Sequence, residues 1–104
     1  MKTYATISMD YNKSVKKAEE LESLAERLEN IAGSKLSEAL QELSGEWKGQ
    51  SADTFIRKGE SLSDQIRQSA KQLYKTAETV RTIASNTRNA EINALEIARN
   101  RTYR

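Results

Sequence analysis

The sequence predicts an all-α protein: an antiparallel helix-turn-helix hairpin with a longer second helix, two hairpins assembling as a four-helix bundle dimer. Three observations carry that expectation. Apolar residues recur at steps of three and four for tens of residues on both sides of the stretch Leu43-Ser44-Gly45-Glu46-Trp47-Lys48-Gly49-Gln50-Ser51. That stretch holds two of the four glycines and the only tryptophan. The 104 residues include no proline, and 31% are charged, so little in the chain would break a long helix.

The chain opens with Met1 to Ile7, which reads as an irregular lead, and Ser8 or Asp10 is the expected N-cap of the first helix. That helix is expected over about 9–43. Its stripe is Val15, Ala18, Leu21, Ala25, Leu28, Ala32, Leu36, Ala39 and Leu43, widened by Leu24, Ile31 and Leu40. Gly33-Ser34 is its weak point, read as a mild bend or a close helix crossing, or else as a true break.

The bend is expected over 44–50. Gly45 can take a positive φ and end the first helix, while Ser51 can cap the second with Asp53 favourable at its positive end. Trp47 and Gly49 lie between, with the tryptophan as an aromatic plug. The second helix is expected over about 51–98. Its seam is Phe55, Gly59, Leu62, Ile66, Ser69, Leu73, Thr76, Val80, Ile83, Thr87, Ala90, Ala94 and Ile97, near a regular heptad. Gly59 would let a facing helix approach closely, and Arg99 to Arg104 reads as a frayed tail.

Charge fits antiparallel pairing. Residues 1–46 carry six Lys/Arg against nine Asp/Glu, net −3, and residues 47–104 carry eleven against six, net +5, which together make the chain's +2. A chain this short forms one domain at most, here 1–104. Two helices do not cover stripes this wide. At 1.5 Å per residue the arms span ~50 and ~70 Å, and counting back from the bend places residue ~86 opposite Ser8. The chain beyond Thr87 would then overhang with its apolar residues uncovered, which predicts a second molecule. The expected interface is Leu21, Leu24, Leu28, Ile31, Leu62, Ile66, Leu73, Val80, Ile83, Ile92, Leu95 and Ile97.

The absent residue types exclude much chemistry. Without histidine or cysteine there is no Ser-His triad, no Cys nucleophile, no disulfide and no zinc site of the usual ligands. The carboxylates are spread along helical patterns, so neither an enzyme nor a cofactor or metal is expected. The mean hydropathy is −0.79, and no window approaches the ~18 apolar residues of a membrane span. Residues 1–10 lack the apolar core of a cleavable signal peptide. Nucleic-acid or membrane-surface binding through Arg88, Arg99, Arg101 and Arg104 is disfavoured by Glu91 and Glu96 among them and by the small net charge.

Trp47-Lys48-Gly49 at mid-chain between uninterrupted amphipathic helices, followed by Ala52 and Phe55, resembles the WXG family. These are the small ESAT-like proteins of type VII secretion. The resemblance implies a hairpin that forms homodimers, or heterodimers with a paralogous WXG-like protein or the helical N-terminal domain of a toxin. It also implies recognition by the secretion ATPase, and export without a cleavable signal peptide from a cytoplasmic pool, in a virulence-associated or interbacterial role. Many members carry a Y-x-x-x-D/E signal, and Tyr74-Lys75-Thr76-Ala77-Glu78 fits those letters inside the second helix. It reads either as that signal or as a surface tyrosine with an i,i+4 neighbour. Two roles are therefore expected: a secreted substrate or cosecreted partner, or a cytoplasmic adaptor for a larger toxin.

Overall fold

A computed structural model describes residues 2–102, all but a few of them helical. Helix α1 runs Tyr4–Asn30, a π turn follows over Ile31–Leu36, α2 covers Ser37–Glu46, and α3 covers Gln50–Thr102. The chain divides into two compact units. One takes the described residues of Met1–Leu21 and Lys75–Arg104, the other Glu22–Tyr74.

The first helix starts earlier than expected. The Thr3 hydroxyl accepts from the Thr6 amide at 3.2 Å, so Thr3 is the N-cap in place of Ser8 or Asp10, and most of the supposed lead is helical. Lys2 then ties this end down. Its ammonium donates to Asp10 Oδ2 at 2.8 Å and to Glu91 Oε1 at 3.1 Å, while Glu91 Oε2 is buried without a partner. Nearby, the Arg88 guanidinium stacks 4.0 Å above the Tyr11 ring. These pairings run in opposite chain directions, so the two segments of this unit are antiparallel. Tyr4 shares a cleft with Glu96, Arg99 and Asn100. The expected uncovered stretch after Thr87 is therefore covered in part by α1, because α1 begins at Tyr4. The tail is helical through Thr102, and Tyr103 and Arg104 lie outside the described residues, as does Met1.

The second unit is a helical hairpin. Gly45 stays inside α2, and Gly49, with φ 119°, makes the left-handed step instead. The bend shrinks to Trp47-Lys48-Gly49. Trp47 ends α2 in extended backbone, and Lys48 Nζ donates back to the Ser44 carbonyl at 3.1 Å. Helix α3 opens one residue before Ser51, with the Asp53 amide bonded to the Gly49 carbonyl at 3.1 Å. Ser51 is thus helical and not the cap.

Alanine fills the seam. Among the described residues, the buried apolar side chains are Ile7, Ala18, Ala25, Ala32, Leu40, Ala52, Ala70, Ala77 and Ala84, and the buried polar one is Ser63. The second helix was expected to turn Phe55, Leu62, Ser69, Thr76 and Ile83 inward. The row one residue later is inward instead: Ile56, Ser63, Ala70, Ala77 and Ala84. Gly59, Ile66, Leu73 and Val80, also expected on the seam, are half-shielded. Small side chains let two backbones come close, and bulky ones at the same points would hold them apart. Leu40 shows how close. A Cβ added to Gly59 would stand 2.5 Å from Leu40 Cδ2 and 3.3 Å from its Cγ.

Two outcomes follow. Gly59→Ala should destabilise the hairpin by about 1–3 kcal/mol through overpacking, more than the ~1 kcal/mol that helix propensity returns, and Leu40→Ala in the same chain should recover part of the loss; urea denaturation followed by circular dichroism measures both. The second concerns pH. The hydrogen bond from Lys2 holds the Asp10 carboxyl below its ordinary 3.8. Its contribution is complete above the unfolded value and fades as pH falls through the lower folded one. Amide-exchange protection factors over residues 4–10 should fall in that acid window, and Asp10→Asn should abolish that fall.

Candidate protein-interaction surface

The bend gathers the motif residues into one place. Trp47 and Phe55 stand 5.8 Å apart between ring centroids with planes tilted by 53°, a favourable aromatic arrangement. Both rings are open to water, at 41% and 53% exposure. Trp47 thus packs on Phe55 at the bend and leaves part of its ring open. Gly49 supplies the reversal that brings the two rings together, and Ala52 is fully buried in the first turn of α3. A shallow cleft of Trp47, Gln50, Ser51, Thr54, Phe55 and Lys58 opens at this corner.

The flanks of the hairpin differ in chemistry. In an antiparallel helix pair, residues one before the innermost row of each helix share one side, and residues one after the half-shielded row share the other. The first side of the 22–74 unit carries Leu24, Ile31 and Leu62, all exposed, beside half-buried Leu28, Ile66 and Leu73. The second side carries Glu22, Glu29, Arg67 and Tyr74. The surroundings of Tyr74 agree with that assignment. Burial, then the charges of Glu29, Glu26 and Glu22, push its phenol above the ordinary 10.0. The candidate signal tyrosine is thus half-buried beside carboxylates of its own hairpin. Glu78 is exposed, and its carbonyl accepts from the Thr82 hydroxyl.

In the other unit Val80 and Leu21 are half-buried, while Ile83 and Ile97 share one helical row and are 59% and 55% exposed. Ile92 and Leu95 are half-buried on different rows, so the expected interface residues of this unit do not form one stripe. Of the arginines considered for anions, Arg88 lies on Tyr11, Arg99 lines the Tyr4 cleft, and Arg104 is outside the described residues. Among the described residues no group of three or more carboxylates converges as a metal site, and no helix is long and apolar enough to cross a membrane.

An alanine-seamed helical pair with its larger apolar side chains turned outward defines an all-helical protein. The PPE family model matches residues 10–104, and the chain belongs to the PPE family, a mycobacterial family associated with type VII secretion. No curated protein and no solved structure matches the chain. The secretion association expected from the bend motif is thereby shown through the PPE family, while the narrower likeness to WXG proteins rests on Trp47, Gly49, Ala52 and Phe55.

The environment of Tyr74 has a direct consequence. The phenolate absorbance lost in Tyr74→Phe should have its midpoint above 10.0 in the native chain. Neutralising Glu26 and Glu29 as glutamines should lower it. The same raised value means that any stability tied to the neutral phenol is present below pH 10 and lost as pH rises through the folded value.

Proposed function

We propose that the protein is a type VII secretion substrate or cosecreted protein, a helical interaction module without catalytic activity. It leaves a cytoplasmic pool without a cleavable signal peptide. The exposed apolar row carries this reading. Leu24, Ile31 and Leu62 remain 47%, 43% and 50% exposed, so completing their burial would gain each half of the ~1.5–3 kcal/mol of a whole side chain. Rows of that kind are suited to a second helical pair laid alongside, either another copy of this chain or a paralogous helical partner, in a four-helix arrangement. The aromatic corner of Trp47 and Phe55 is the feature offered to the secretion ATPase, and Gly49 is the residue that presents it.

A second reading rests on Tyr74. A tyrosine half-buried among Glu22, Glu26 and Glu29 is poorly placed as a freely read export signal. That favours a cytoplasmic adaptor, which binds the helical N-terminal domain of a larger toxin and leaves the signal to its partner.

Export of a folded Trp47→Ala, Gly49→Ala double variant should drop at least tenfold against the native chain, measured in culture supernatant with a cytoplasmic marker as control; undiminished export overturns the first reading. Light scattering of the purified chain separates the two. A stable dimer supports self-assembly, and a monomer or aggregate made soluble by a coexpressed toxin domain supports the adaptor. Leu24→Asp with Leu62→Asp should abolish whichever assembly forms.

A further inference from the structure

We propose that the π turn over Ile31–Leu36 is a one-residue phase corrector, latched by Ser63, that sets the angle at which α2 delivers Trp47 to Phe55. Two rows of the 22–74 unit show the correction. Ala25 and Ala32 are buried seven residues apart, but the next buried residue of α2 is Leu40, eight further on. The half-buried row does the same, with Leu28 followed by Leu36 at eight and Leu43 at seven. An uninterrupted α-helix, turning about 100° per residue, would keep Leu36, Ala39 and Leu43 on the inner row and leave Leu40 at its edge. The wider turn absorbs one residue and brings Leu40 inward, with Leu36 and Leu43 beside it on the half-buried row.

The latch is visible at the Ala32 carbonyl. A π turn disturbs the α ladder and leaves carbonyls for other donors. Ser63 Oγ donates to this one at 2.8 Å from the opposite helix, and Arg67 Nη2 approaches it at 3.5 Å. Arg67 passes over Gly33, at 4.0 Å from where a Cβ would stand. One turn earlier on α3 is Gly59, against which Leu40 packs. Latch and notch are thus successive turns of one helix, gripping the π turn at Ala32 and α2 at Leu40. From Leu40 regular helix continues to Glu46, so the phase set there fixes the point from which the chain enters Trp47. None of this depends on what the aromatic corner recognises.

The test compares four chains: native, Ser34 deleted, Ser63→Ala, and both together. Deleting Ser34 removes the surplus residue, so a straight helix reaches the same phase. That chain should fold and keep nuclear Overhauser contacts between the Leu40 methyls and Gly59, along with the near-ultraviolet dichroism of the single tryptophan. Ser63→Ala should lower the thermal midpoint of the native chain by about 4–8 °C, because a buried carbonyl loses its donor. In the deleted chain the same substitution should shift it by under about 2 °C, since Ala32 then has a normal helical partner. If Ser63→Ala alone does not fold but the double variant does, the proposal is upheld. A deletion that unfolds the chain, loses the Leu40–Gly59 contacts, or leaves the Ser63→Ala effect unchanged overturns it.

Discussion

Close approach of two helices along a row of alanines is the constraint on which this structure depends. Alanine adds no rotamer entropy cost, and its methyl group holds neighbouring backbones only slightly apart. The row is therefore sealed by backbone as much as by side chains, and no large side chain among the described residues is fully buried. Every leucine or isoleucine on the neighbouring rows is then pushed to the margin. Leu28, Ile66 and Leu73 are half covered, and Leu24, Ile31 and Leu62 are left outside.

The same closeness sets the local exceptions. A leucine entering an alanine seam needs a gap across from it, and Gly59 is that gap for Leu40. A serine can sit in the seam because the facing carbonyl of Ala32 is near enough to accept its hydrogen bond. Elsewhere the seam is apolar and asks for no partner atoms. The hairpin is held in register by these two points and by its bend, where Gly49 reverses the chain and the Trp47 and Phe55 rings meet.

For a member of a secretion-associated family, a thin seam with apolar margins is a workable division of labour. Little apolar area is spent inside the pair, so more stays exposed on its margins. The opposite flank is unsuited to that use, since Glu22, Glu29 and Arg67 would have to give up water. Tyr74 lies on that charged side, which is why its letters fit an export signal better than its surroundings do.

Much of the architecture was legible in the residues. Freedom from proline, periodic leucines and the Trp47–Gly49 cluster determined two long helical arms and the bend between them, because backbone conformational limits act locally. Gly59 was legible as a point of approach for the same reason. Hydrophobicity misled where Ala and Leu competed for the seam: Phe55, Leu62 and Ile83 outrank Ala70 and Ala77 in transfer free energy, yet spacing between backbones selects for size. The π turn was hidden because Leu36, Ala39 and Leu43 already look like an ordinary stripe, and only the facing helix shows that Leu40 replaces Ala39. The chain by itself determined helix, bend and overall patterning; which row faces inward, and the extra residue needed to keep it there, were decided only when two helices had to fit against each other.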